Sequence, residues 1–235
     1  MTTEQLKKFQ DMMGVRWYNA LLSTFQSKEF NNLGNFLANE GKQYNIYPSP
    51  TEKVFRAFTL THLEDVRVVI CGQNSYHTKD IADGLAFSCS NQKTPQPSLC
   101  NIIQEVETQV YNNNIDMMKP EYYDLARWAK QGVFLLNCGL TVREGQPDSH
   151  IEQWKFFIHK VIEILNNTHT GLVYLLWGVH AKSLTPLIGK NNYILTCGHP
   201  MTKTYKDSKD TWSNNGHFIK TNEILKSSNN IEIQW

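Results

Sequence analysis

Charge of one sign, long apolar runs and paired cysteines are what this sequence has little of. Its 23 Lys and Arg against 22 Asp and Glu leave a formal net charge of +1 over 235 residues. That balance excludes a strongly basic or acidic tail but leaves room for a local basic face. No apolar stretch approaches the length of a transmembrane helix, and the start, Met1 to Lys8, has no signal-peptide core. A cytoplasmic protein with no membrane partner is expected. The five cysteines, at 71, 89, 100, 138 and 197, are odd in number and lack C-x-x-C spacing. They read as reduced, mostly buried thiols, and neither a metal nor a cofactor is expected. No linker-like, repeated or low-complexity tract divides the chain, so a single domain over 1–235 is expected, as a monomer.

What is present is periodic apolar character. Residues 1 to 45 read as helical, with Leu6, Phe9, Met12, Met13 and then Trp17, Leu21, Leu22, Phe25 at helical spacing. Tyr47-Pro48-Ser49-Pro50 breaks the pattern, and Ser49 or Thr51 is expected to cap a helix through Ala57 and Phe58. Four short strands follow: Arg67 to Cys71, Val133 to Leu136, Leu172 to Trp177 and Tyr193 to Cys197. An amphipathic helix carrying Leu99, Ile102, Ile103 and Val106 is expected to start at Ser98, which either places its N-terminal N–H groups towards an anion or simply caps it. Ser149 and His150 are expected to cap one carrying Trp154 and Phe157. Strands alternating with helices predict an α/β fold with a parallel sheet flanked by helices.

All four strands end in polar or aromatic residues. The first runs into Gly72-Gln73-Asn74-Ser75-Tyr76-His77, the second into Asn137, the third into Gly178-Val179-His180 and the fourth into Gly198-His199-Pro200. Ligands of open α/β sheets bind at the carboxyl ends of the strands. A lone histidine is most often structural, whereas several polar groups gathered on one edge form a candidate site. Seven lysines stand against three acids over residues 181–230, a candidate phosphate-tracking face beside it. Thr211 to Asn215 reads as an exposed polar turn, with Trp212 its one odd member.

Together these motifs resemble the uracil-DNA glycosylase superfamily, in its best-known branch. The matching segments, in order, are Gly72 to His77, Gly84 to Ser88, Pro97-Ser98-Leu99-Cys100-Asn101, Leu135 to Arg143, Ser149-His150 with Trp154, Leu175 to Ala181, His199-Pro200 and Asn222 to Leu225. The resemblance implies a single domain around a four-stranded parallel sheet. It also implies a monofunctional enzyme that extrudes a nucleotide from DNA and hydrolyses its base–sugar bond, leaving an abasic site. By position, Asn74, His77 and His199 would be catalytic, His199 donating to O2 of the leaving base and His77 helping to place water. Gln73, Tyr76, Phe87 and Asn137 would hold the base, with Phe87 stacking, Asn137 reading its edge and Tyr76 against C5. Pro97, Ser98, Gly178, Pro200 and Lys203 would contact DNA.

The chain departs from the family pattern where the chemistry lies. Asn74 stands for the catalytic aspartate, Ser75 for a proline, and Lys203 for the apolar wedge that fills the vacated stack. The 78–83 loop is rewritten, and Gly139 replaces a larger residue. These clustered changes favour a modified pyrimidine as substrate, a 5-substituted or glycosylated cytosine of the sort found in phage DNA, and a role in defence against foreign DNA. The alternatives are uracil excision in repair, and a non-catalytic protein that grips DNA.

Overall fold

The computed structural model describes residues 3–91, 95–202 and 211–235. Three helices come first: α1 (Thr3–Met13), α2 (Val15–Phe25) and α3 (Lys28–Glu40). Each follows from the i, i+3, i+4 spacing of its apolar residues. A short strand β1 (Ile46–Tyr47), a 3-10 turn (Thr51–Phe55) and α4 (Arg56–Leu60) lead to β2 (Val68–Asn74). After it come α5 (Pro97–Gln109), α6 (Ala126–Ala129), β3 (Val133–Gly139), β4 (Val142–Arg143) and α7 (Ile151–Thr168). The described chain closes with β5 (Val173–Trp177), α8 (Val179–Lys182), β6 (Tyr193–Cys197) and α9 (His217–Ser227).

The main sheet has the order β3-β2-β5-β6 and is parallel throughout. β2, β3 and β5 read as continuous apolar runs because both their faces are covered, while β6 at the edge stays partly exposed. Residues 133–139 are buried without exception. On one face Trp17 stacks on Phe134 at 5.1 Å between ring centroids, with Phe58 and Phe157 against them. Side chains alternate faces along a strand, so Trp177 lies on the other side, where it meets Trp212 and Phe218.

Connections from β2 run to β3 on one side and, later in the chain, to β5 on the other. The crevice at the carboxyl ends of β2 and β5 is therefore a topological switch point, where this class of sheet has room for a ligand.

Several local expectations are corrected. β2 and β3 run three residues past their expected ends, because Gly72, Asn74, Asn137 and Gly139 still pair across the ladder. β1 and β4 form an antiparallel pair too short to leave a periodic signal. Pro50, not Ser49 or Thr51, sits at the cap of the 3-10 turn and offers no side-chain bond. Gln96 caps α5, so Ser98 is its second residue behind Pro97. Ser149 Oγ accepts the backbone N–H of Arg143 instead of capping α7, and His150, at the cap position, makes no side-chain cap bond. Trp212 is buried, because its indole edge packs on Trp177 at 4.9 Å.

One polar network ties α3 to the end of β3 and the start of α7. Arg143 Nη2 donates to Glu40 Oε1 at 2.8 Å, and its Nε bonds the other oxygen. His150, fully buried, lies 3.2 Å from Glu40 through Nε2 and 2.9 Å from Thr141 through Nδ1, while Trp154 donates to Thr141 at 2.7 Å. The Arg143 bond holds the Glu40 carboxyl below its usual value, and burial lowers His150, so a neutral ring passes one proton direction along the chain. Glu40→Gln is expected to destabilise the fold by about 2 kcal/mol, the scale of a lost charged hydrogen bond. Urea denaturation would check this.

Candidate active site

At the carboxyl edge of the sheet lies a cavity of about 160 Å³. Gln73, Asn74, Tyr76 and His77 line it from the end of β2, Asn137 from β3, His199 from the residues after β6, Phe87 from the connection between β2 and α5, and Ser98 from the first turn of α5. Ser75, Leu85 and Pro147 complete the wall. Eight of the positions singled out in the sequence thus meet around one space. Pro97, Gly178 and Pro200 are not part of the wall. Pro97 opens α5, Gly178 packs against His199, and the Pro200 carbonyl accepts from Asn101 Nδ2 at 2.6 Å. Lys203 lies outside the described residues, as do Lys206 and Lys209. His180 sits on α8 and is half-exposed, outside the wall.

Asn137 faces Gly72 across the β2–β3 ladder. An added Cβ at Gly72 would collide with Asn137 Oδ1, so only glycine leaves room for this amide. Asn137 Nδ2 donates to Ser75 Oγ at 3.5 Å, and the Ser75 hydroxyl donates to the Leu140 carbonyl at 3.1 Å. Asn137 Oδ1 is buried with no hydrogen-bond partner. An orphaned buried acceptor at a cavity wall calls for a donor on a ligand.

Tyr76 and Phe87 brace each other. The Tyr76 hydroxyl donates to the Phe87 carbonyl at 2.8 Å, and burial pushes its pKa well up, so it remains a donor. Phe87 has φ of 64°, a strained conformation for a bulky residue. It is kept there by Asp83, whose carboxylate takes Leu85 N at 3.0 Å, Ser88 Oγ at 2.7 Å and Ser90 N at 3.0 Å, with Arg56 Nη1 at 2.8 Å. Strain held by surrounding bonds is a mark of functional loops. Asp83 and Arg56 escaped the reading of the sequence, in which Asp83 merely ended a polar loop.

His199 Nδ1 accepts the backbone N–H of Met201 at 3.2 Å, which leaves Nε2 carrying the proton in the neutral ring. Burial lowers its pKa, and nearby His180 lowers it further. His199 is therefore a neutral N–H donor at pH 7 and protonates only below the ordinary histidine value. A rate that needs this neutral donor should hold through neutral pH and fall only as pH drops through that lowered value. His180→Gln should move the acid limb to higher pH, checked by a pH–rate profile. Asn74 Nδ2 donates to the Ser75 carbonyl at 2.5 Å. Among the described residues no cluster of three His, Cys, Asp or Glu is arranged to hold a metal, and no helix is long and apolar enough to cross a membrane.

Residues 58–226 match the family model of the uracil DNA glycosylase superfamily. The chain belongs to that superfamily. It is 40% identical over 221 residues to the uracil-DNA glycosylase of Christiangramia forsetii, covering 93% of this chain and 96% of that one. To the uracil-DNA glycosylase of Homo sapiens it is 39% identical over 225 residues, covering 94% of this chain and 69% of that one. The crystal structure of mimivirus uracil-DNA glycosylase superposes with a TM-score of 0.81 at 25% identity, covering 98% of this chain and 92% of the other. Membership makes this glycosylase an enzyme, a hydrolase of N-glycosidic bonds, with DNA as its substrate.

Proposed function

We propose that this glycosylase excises uracil from DNA. The observation that carries the reading is the orientation of the Asn137 amide. Ser75 spends its hydroxyl proton on Leu140, so it offers Asn137 only a lone pair. Nδ2 must then face Ser75, and Oδ1 is left as a free acceptor. A uracil N3–H would satisfy that acceptor, while the bare N3 lone pair of cytosine would oppose it. The braced Tyr76 ring closes the side on which a pyrimidine carries its C5 substituent, which weighs against a 5-substituted or glycosylated cytosine. The curated relatives reported above are named for uracil, in keeping with this choice. We set the modified-cytosine reading, and with it defence against foreign DNA, behind repair of uracil.

In the reaction, the bond between C1′ and N1 breaks and its electron pair leaves with the base, while positive charge builds on the sugar. His199 Nε2–H donates to the base oxygen O2 as it gains charge. Phe87 stacks on the base, Asn137 holds N3–H, and Gln73 lies at the base's edge. His77 and Asn74 orient a water whose oxygen bonds C1′ and whose proton ends on the released base. Pro97, Ser98, Gly178, Pro200 and Lys203 would flank the phosphates, as a single chain acting alone.

An excision panel tests the proposal. Oligonucleotides bearing uracil, mismatched thymine or 5-hydroxymethylcytosine, and phage DNA with glycosylated cytosine, would be incubated with protein and treated with alkali. Strand breaks at uracil are the expected result. Breaks confined to modified cytosine would overturn it.

A further inference from the structure

The cavity wall lacks one kind of group. Among the described residues lining it none is Asp or Glu, although cleavage of a base–sugar bond builds positive charge on the sugar. Asp83 is the buried carboxylate nearest in sequence to Asn74, and its oxygens are already engaged by Arg56, Ser88 and two backbone N–H groups. Asp148 is placed differently. It follows Pro147, a wall residue, and its backbone turns with φ of 66°. Its Oδ1 accepts from Nε2 of Gln73, another wall residue, at 2.5 Å. Its Oδ2 lies 3.7 Å from Nε2 of His180, the residue that depresses His199.

The same turn comes near Asn74 by way of Ile151 and Gly139. The Asp148 carbonyl accepts from Ile151 N at 3.2 Å. Ile151 fills the space left open at Gly139, where an added Cβ would lie 3.1 Å from Ile151 Cγ1 and 3.5 Å from Asn74 Cβ. A Cβ at 139 would press on Ile151 and come into ordinary contact with Asn74. The Gly139 departure, the Asn74 departure and the Asp148 turn therefore meet in one corner of the site.

We propose that Asp148 is the anionic positioning residue of this active site: it fixes the Gln73 amide and the His180 ring at the cavity mouth and supplies there the negative charge that Asn74 lacks. The role rests on the proposed glycosylase reaction. Asp148 touches no reacting atom and takes no proton; it acts through Gln73, through His180 and through its charge. With 44% of its side chain exposed, it can be changed with little risk to the fold.

Asp148→Asn keeps an oxygen for Gln73 and removes only the charge. The test compares affinity for two duplexes that contain no scissile base. One carries a protonated pyrrolidine in place of the sugar, the other a neutral tetrahydrofuran. The wild-type chain is expected to prefer the cationic duplex. Asp148→Asn should lower that preference about tenfold, the scale of a unit charge acting across roughly 10 Å of partly screened protein. Affinity for the neutral duplex should stay unchanged. Asp148→Glu should keep most of the preference, and adding Asn74→Asp to Asp148→Asn should restore it. On uracil DNA, Asp148→Asn should lower kcat and leave KM in place. Equal affinity of Asp148→Asn and wild type for both duplexes, or an equal loss on both, would overturn the proposal. A charge preference that depends on Asp148 without any uracil excision would remove uracil as the substrate and leave the role of Asp148 standing.

Discussion

His199→Ala should lower the rate of uracil excision by about 10²–10³-fold, the usual loss when one donor to a developing oxyanion is removed. DNA affinity should barely change. The expectation rests on the tautomer. With Nδ1 occupied by Met201 N–H, the ring presents Nε2–H to the cavity, and burial keeps it neutral. A neutral donor bonds weakly to a carbonyl and strongly to an anion, so its contribution grows as the base departs. Single-turnover rates on a uracil duplex, beside affinities for an abasic duplex, separate the two effects. A parallel loss of rate and affinity would mean that His199 shapes the DNA surface and does no chemistry. An unchanged rate would mean that His199 donates nothing to the departing base, and only an absence of excision by the wild-type chain would return the protein to the class of DNA grippers.

Asn74→Asp should raise the uracil rate about 10²-fold, by putting a carboxylate on the wall beside the sugar. Its structural cost is small and identifiable. Asn74 now donates to the Ser75 carbonyl, a bond that a carboxylate cannot make, and its loss should destabilise the fold by ~1 kcal/mol. Repelled by that carbonyl, the carboxylate turns towards the cavity. The same single-turnover assay, with a urea titration, reads both numbers. The gain should be larger when Asp148 has been replaced by Asn, because the two carboxylates would serve one charge. A rate that fails to rise in either background would show that the site works without a carboxylate.

Most of the sheet was legible because β2, β3 and β5 are buried along their apolar stretches, whereas β6 at the edge is partly exposed. Val68 to Cys71 and Val133 to Leu136 are unbroken apolar runs, each followed at its carboxyl end by glycine and amide residues. The helices before residue 45 were legible from spacing alone. Trp212 was misread because its neighbours in sequence are polar, while its burial comes from Trp177, 35 positions earlier. Glu40 with Arg143, Asp83 with Arg56, and Asp148 with Gln73 left no signal for a similar reason. Their partners lie 103, 27 and 75 positions away, and charged residues read singly look like solvated surface. Ser75 was noticed as a departure from a family pattern, but its reason required the Leu140 carbonyl and the Asn137 amide around it.

Gly72 and Asn137 are rungs of the same parallel ladder, whereas Asp148 stands on an exposed turn and His180 on a one-turn helix. Warming should therefore act on the enzyme in two stages. The turn and the short helix belong to the class of elements that open locally at low cost, while the ladder opens only with the whole sheet. Turnover should sag first, at temperatures where the far-ultraviolet spectrum is still native. Discrimination of uracil from cytosine should persist until the sheet itself melts, since Asn137, the amide proposed to read the base, cannot shift without its strand.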